Sequence, residues 1–210
     1  NGVIVADNIF THKPITKEDM RMLIMFSNQA GLAIENSQLY EQTLIKSNTD
    51  SLTGLWNHGY FQYILQREIQ KAEEQNSSVS LIMIDIDNFK TYNDTMGHRM
   101  GDYILKEIST ILNNNSRKID FVCRYGGEEF TIILPQTTKK EALLIAEQLR
   151  EKIQNYPFIH EEIMPEKRIT ISCGVSSYPE DGSTNSELIN RADKYLYQAK
   201  KSGKNRVCGY

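Results

Sequence analysis

The chain reads as an α+β protein in which one long helix precedes a mixed sheet with flanking helices. Three observations predict this. From about residue 50 onward, strand-like and helix-like stretches alternate as β-α-β-β-α-β. That is the order of a split βαβ, ferredoxin-like sheet, with its helices expected on one face. The stretch SVSLIMIDID (78–87) is almost continuously apolar, as a buried strand requires. Residues 16–47 contain no proline, and only Gly31 weakens them as a single helix.

The elements follow in order. GVIVADN (2–8) is a short apolar strand with no partner nearby. Thr16 then starts a helix, with Asp19 three residues on as a weak capping box. Its first half is apolar nearly all round: Met20, Met22, Leu23, Ile24, Met25, Phe26. Its second half narrows to a stripe. Leu23, Phe26, Ala30, Ala33, Ser37, Tyr40 and Leu44 follow the 3–4 spacing of a two-helix seam. The alternative is one amphipathic helix packed on its own domain, but about 30 residues outlasts the usual globular helix.

Residues 48–50 break that pattern. TGLWNHGYFQYILQREIQKAEEQ (53–75) reads as a helix, and 78–87 as the buried strand. NFKTYNDTMGHRMGDYILKEISTILNNN (88–115) supplies two helices around Gly97 and Gly101. FVCRY (121–125) and EFTIILP (129–135) form a hairpin. KKEALLIAEQLREKIQNY (139–156) is an amphipathic helix, RITISCGVSSYP (168–179) a strand, SELINRADKYLYQAKKS (186–202) a helix, and NRVCGY (205–210) a closing strand.

Composition narrows the function. The 210 residues suffice for one or two modest domains, and a net charge of −3 advertises no basic face for nucleic acid. No apolar run reaches the roughly 18 residues of a membrane span, and no signal peptide opens the chain. The chain is expected to be cytoplasmic. It begins at Asn1 without Met, so it is expected to be part of a longer protein that could be membrane-attached. Cys123, Cys173 and Cys208 fit no zinc spacing and are expected to stay reduced. His12, His58, His98 and His160 form no HExxH-like set, and GKN at 203–205 lacks the upstream glycine of a P-loop.

The chemistry concentrates in a few places. In RYGGEEF (124–130), two glycines lead into two glutamates between strands. That is either a turn with exposed charge, or a place where a ligand nears the backbone beside metal-binding carboxylates. Asp85 and Asp87 end the buried strand, where residues two apart face the same side. Asp85 follows four apolar residues, so its charge lies near a core, at a cost that a cation would relieve. If the 121–134 hairpin neighbours this strand, Asp85 meets the glutamate pair. Three converging carboxylates then suit Mg²⁺ with a phosphate substrate. Lys90, Asn93, His98 and Asp102 follow, spaced by glycines. Asn and Asp can read a guanine edge, and Lys90 and Lys200 can neutralise phosphates, although each alone also suits solvated surface. His98 suits loop packing better than general-base work. Arg117 and Asp120 alone read as an i,i+3 ion pair.

Four blocks together resemble the GGDEF family of diguanylate cyclases. They are DSLTGLWNH (50–58), DIDNFKTYNDTMGHRMGD (85–102), RYGGEEF (124–130) and ADKYLYQAKKSGKNRV (192–207), in the family's order. The resemblance implies a sheet like that of adenylyl cyclases and polymerase palms, and condensation of two GTP into cyclic di-GMP and two pyrophosphate. It implies Mg²⁺ or Mn²⁺ held by Asp85, the Ile86 carbonyl and Glu128, the last an accepted variant of the family's Asp. Asn93 and Asp102 would read guanine, with His98 nearby. Gly126 and Gly127 would admit the nucleotide, and Phe89, Lys90, Lys200 and Lys204 would line the triphosphate. Glu129 would act near the reacting 3′-hydroxyl. Arg117 and Asp120 would be the inhibitory site for product. His58 and Lys204 stand where the family usually has Arg. The first puts coupling to the linker in doubt, and the second implies weaker phosphate binding. A homodimer through the long helix and the catalytic domain is implied as well.

Residues 1–47 resemble the end of a GAF sensory domain. The expected organisation is a GAF remnant at 1–15, a signalling helix at 16–49 and a catalytic domain at 50–210. The competing reading is a non-catalytic cyclic di-GMP receptor or GTP-binding module. Receptors of that kind usually have a decayed RYGGEEF block, and here the block is intact.

Overall fold

The structure, a computed structural model, describes residues 14–210, and of residues 37–46 the backbone only. The strand expected near residues 1–10 lies outside the described residues, as do the seam side chains Ser37, Tyr40 and Leu44. The chain divides into two compact units, Asn1–Ser47 and Asn48–Tyr210.

Helix α1, Lys17–Asn48, is a single element as expected. Its capping box forms: Thr16 N–H donates to Asp19 Oδ2 at 2.8 Å, and Asp19 N–H to Thr16 Oγ1 at 3.2 Å. Its large apolar side chains are exposed, Phe26 at 66% and Met25 at 61%, while Leu23 is half-buried.

The second unit is a five-stranded sheet in the order β2-β3-β1-β4-β5. Strand β1 is Val79–Ile86, β2 Phe121–Gly126, β3 Glu129–Pro135, β4 Ile171–Tyr178 and β5 Val207–Cys208. β1 lies antiparallel between β3 and β4, and β5 closes the far edge in parallel with β4. This is the α+β, ferredoxin-like arrangement the element order predicts.

The helices cover both faces, not one. Between β1 and β2 run α3, Phe89–Met96, and α4, His98–Asn114; α5, Lys139–Asn155, joins β3 to β4. They cover the face that carries Ile82, Ile84, Phe130, Ile132 and Val175. Before β1 comes α2, His58–Glu74, and after β4 comes α6, Asn185–Lys201. These two cover Val79, Leu81, Met83 and Ile133 on the opposite face. Every residue of β1 is therefore buried. A fully apolar central strand needs cover on both sides, each buried aliphatic contributing about 2 kcal/mol.

Two boundaries differ from expectation for local reasons. Residues 53–57 are not helical. Gly54 sits at φ 72°, Thr53 is turned back by hydrogen bonds to Asp50, and Asn57 caps α2. The break between α3 and α4 is Gly97, at φ 82°, while Gly101 lies inside α4.

Gly174 of β4 sets the position of α6. A Cβ there would stand 2.0 Å from the Ala192 carbonyl oxygen and 2.3 Å from Leu196 N. The helix thus packs directly on the strand backbone, which carries its last turn to the end of β1.

Candidate functional site

The site lies where β1 and the β2–β3 hairpin end together. The register pairs Asp85 of β1 with Glu129 of β3. Directly opposed residues of antiparallel strands share a face, so these two carboxylates belong to the α6 side of the sheet. Glu128 is in the two-residue turn between β2 and β3, and its carbonyl accepts from Ile86 N–H at 3.4 Å. Asp85 is buried, and Lys200 in the last turn of α6 places Nζ 2.7 Å from its Oδ2.

The electrostatics follow from this crowding. Burial pushes the Asp85 carboxyl above its ordinary value; Lys200 opposes that, and the charges of Glu129 and Asp87 add to it. Glu128 is pushed up in the same way, by burial first and then by the charge of Asp85. Two carboxyls that resist ionisation side by side mark a place where a cation is favoured.

The turn itself is clamped. Arg124 Nη2 and Nε donate to the Gly127 carbonyl oxygen at 2.7 and 3.2 Å, and Nη1 reaches both oxygens of Asp50 at 3.0 and 3.2 Å. Thr53 and Arg124 hold the Asp50 carboxyl below its usual range against the effect of burial. A register shift between Arg124 and Gly126 marks an irregularity at the same point. The fold does not itself demand the glycines. A Cβ on Gly127 would meet nothing within 4 Å, and one on Gly126 only an ordinary contact at 3.5 Å with Glu129. Neither has a left-handed backbone. The space they leave is open to something from outside the chain.

The 85–102 block runs on from the end of β1 into α3 and α4. Asn88 begins α3 in a left-handed conformation, φ 56°, and its side-chain oxygen accepts from Lys204 Nζ. Phe89 is buried and stacks on Tyr92; Lys90 is exposed. Asn93 is half-buried, with Oδ1 in no hydrogen bond. A Cβ on Gly101 would stand 1.8 Å from that oxygen, so a larger residue there would displace the Asn93 side chain. Asp102 follows Gly101 on α4, and both Asp102 and His98 are exposed.

Asp87 differs from Asp85. Its oxygens accept from Thr170 Oγ1 at 2.8 Å, Ser172 Oγ at 2.6 Å and Asn205 N–H at 3.0 Å. It is a buried structural hub and not an open ligand. Arg117 and Asp120 lie at the other end of β2, about 20 Å of strand away. Arg117 Nη2 donates to Asp120 Oδ1 at 2.7 Å, and also to Thr137 Oγ1 at 2.7 Å and the Pro135 carbonyl at 3.2 Å. The Arg117 side chain remains 46% exposed.

Asp50, Arg124 and Arg150 carry no role readable from the sequence, and Gly101 reads there only as a helix break. The first two stand in quoted blocks, but a contact across 74 positions leaves no local signature.

The donor chemistry fits a hard divalent cation: carboxylate oxygens next to a strand-end carbonyl, with two carboxyls raised by burial first and by neighbouring charge next. As the side chains stand, no three Asp, Glu, His or Cys among the described residues are close enough to enclose an ion. Lys200 holds Asp85 instead.

The chain belongs to the GGDEF family: residues 47–206 match the family model described as diguanylate cyclase, GGDEF domain. It is 45% identical over 161 residues to the response regulator PleD of Caulobacter vibrioides, an overlap of 77% of this chain and 36% of that protein. It is 35% identical over 208 residues to diguanylate cyclase A of Treponema denticola, covering 98% of this chain and 54% of that protein. Among solved structures, the coiled coil and GGDEF domain of DgcB from Caulobacter crescentus, in complex with c-di-GMP, matches with a TM-score of 0.79 at 27% identity. That match covers 90% of this chain and 99% of the other. The chain thus spans only 36% to 54% of the length of these curated relatives.

Proposed function

We propose that the chain is a diguanylate cyclase that condenses two GTP into cyclic di-GMP and two pyrophosphate. The observation that carries this reading is the strand-end pair Asp85–Glu129, with Glu128 in the adjoining turn, Lys200 on Asp85, and Lys204 on Asn88 just beyond the end of β1. Carboxylates for a cation next to lysines for phosphate suit a nucleoside triphosphate.

Each residue then has a task. Asn93 and Asp102 hold the guanine edge, and the open space over Gly126 and Gly127 admits the nucleotide. Phe89, Lys90, Lys200 and Lys204 line the triphosphate, with His98 at the rim. Asp85, the Ile86 carbonyl and Glu128 would hold Mg²⁺ or Mn²⁺. When bound, that ion supplies charge neutralisation at the phosphates and acidifies a nearby hydroxyl. Glu129 accepts the proton of the attacking 3′-hydroxyl. The 3′-oxygen of one GTP bonds to the α-phosphorus of the other as the bond to pyrophosphate breaks, and the reciprocal step closes the ring.

One chain carries one motif set, so two GTP-loaded chains meet antiparallel. The DgcB relative is described with a coiled coil, which supports α1 as the element that joins them. Arg117 and Asp120 are proposed as the inhibitory site for product. Their mutual ion pair has to open when product binds there. The domains are proposed as a GAF remnant at 1–15, a signalling helix at 16–49 and the catalytic domain at 50–210. No helix among the described residues is long and apolar enough to cross a membrane, and the working location is proposed as the bacterial cytoplasm.

Incubation with GTP and Mg²⁺, followed by product analysis, tests this. One cyclic di-GMP and two pyrophosphate are expected for every two GTP consumed. Binding of cyclic di-GMP without turnover would replace the enzyme by a receptor, and neither outcome with GTP would remove both.

A further inference from the structure

We propose that Arg150, on α5 and outside the nucleotide site, is a positioning residue for the phosphate-facing lysine Lys204. The inference rests on the GTP-binding reading above. Lys204 and Asn205 follow Gly203 in the loop after α6, and both are left-handed, at φ 63° and 47°. Two successive non-glycine residues in that region persist only where surroundings hold them. The surroundings are visible. Arg150 is 9% exposed, and its Nη1 donates to Asn205 Oδ1 at 2.7 Å. The opposite side of the guanidinium is fixed by Glu147, which accepts from Nε at 3.0 Å and from Nη2 at 2.6 Å. Asn205 N–H donates in turn to Asp87 Oδ2 at 3.0 Å, and Lys204 N–H to the Ala199 carbonyl at 3.0 Å.

The loop is thereby tied to α5, to the end of β1 and to α6. With its backbone so fixed, Lys204 reaches across to Asn88, at the turn that leads into Phe89 and Lys90 of α3. A flexible lysine has no planar fork to orient it. Its ammonium is aimed by the backbone that carries it, and Arg150 is the side chain that braces that backbone from outside. Losing the brace frees Lys204 without removing its charge.

The test uses the phosphate count of the ligand. Titration of the whole chain with GTP and with GMP is compared for wild type, Arg150→Met, Arg150→Lys and Asn205→Gly. Glycine tolerates the left-handed backbone and keeps the N–H to Asp87, so Asn205→Gly removes only the link to Arg150. In Arg150→Met and Asn205→Gly, GTP affinity is expected to fall about tenfold, the worth of one well-placed charged contact. GMP affinity is expected to stay within about twofold, and Arg150→Lys to recover part of the loss. An equal fall for GTP and GMP would mean general loosening and overturn the proposal, as would unchanged GTP affinity in both variants. Failure of the wild type to bind GTP at all is a different result, which overturns the nucleotide reading itself.

Discussion

Lys200 Nζ lies 2.7 Å from Asp85 Oδ2, so the buried carboxylate at the end of β1 is paired from the last turn of α6. Burial disfavours that carboxylate's charge, and the lysine offsets it. Lys200→Met leaves Asp85 buried and unpaired, and is expected to destabilise the domain by about 1–3 kcal/mol, at the low end because Lys200 is partly exposed. Asp85→Asn is expected to cost little stability, and adding it to Lys200→Met to restore much of the loss. Both single variants are expected to lose turnover by a hundredfold or more, the scale of a metal or phosphate contact made in the transition state. Denaturant melts that are additive in the double variant would deny the coupling. Normal turnover in Asp85→Asn would remove that residue from the site.

Gly101→Ala probes the guanine-reading assignment through sterics alone. The new Cβ would stand 1.8 Å from Asn93 Oδ1 and 3.2 Å from Phe89 Cζ, so Asn93 must move. The apparent KM for GTP is expected to rise about tenfold, one hydrogen-bond contact to the base, and the preference for GTP over ATP to narrow. Unchanged KM and unchanged preference would place the base elsewhere.

Glu128→Gln separates stability from activity by pH. The Glu128 carboxyl is raised, by burial first and by Asp85 next. A raised carboxyl favours the fold fully below its unfolded value of about 4.3, and that advantage fades as pH rises through the folded value. The glutamine variant is therefore expected to melt with the wild type near pH 4 and above it at neutral pH, while its turnover falls a hundredfold or more. A variant that melts below the wild type at pH 7 contradicts the sign.

Much of this was legible from residue order. Strand β1 announced itself because a continuous apolar run with a terminal acid has few other uses, and the hairpin because two β-rich runs flank a glycine pair. The second helical layer was not legible. Periodicity in 58–74 and 185–201 shows that each helix has an apolar face, but not which face of the sheet receives it. Helix α2 was expected to start five residues early, because propensity in 53–57 competes with a left-handed Gly54 and the hydrogen bonds of Asp50. The carboxylate pair could be anticipated from neighbouring strands. The Arg124–Asp50 clamp and the Arg150 brace join distant elements through side chains, and no spacing encodes them.

Arg117→Ala tests feedback. Arg117 spends its donors on Asp120, Thr137 and the Pro135 carbonyl. Its loss is expected to relieve inhibition by cyclic di-GMP about tenfold or more, with the initial rate within about twofold, since the pair lies a strand's length from the carboxylates. Equal inhibition of wild type and variant would leave Arg117 and Asp120 as a local ion pair.

The long helix decides whether the chain is active as it stands. In the proposed reaction each product needs two nucleotide-loaded chains, so the rate would depend on how often they meet. Helix α1 leaves Met20, Met22, Ile24, Met25 and Phe26 exposed at 47% to 66%, and large apolar patches of this kind call for a partner surface. A parallel pairing through Leu23, Phe26, Ala30 and Ala33 would hold two catalytic domains at an effective concentration of about a millimolar. Alanine at two of these positions keeps the seam thin, so the dimer is expected to be weak and specific activity to rise with protein concentration. Replacing Leu23 and Phe26 by Glu puts like charges into the seam. Sedimentation is then expected to show monomer, with activity at low micromolar protein depressed about tenfold or more and partly regained on concentration. Identical sedimentation and identical activity for both proteins would assign the helix another role.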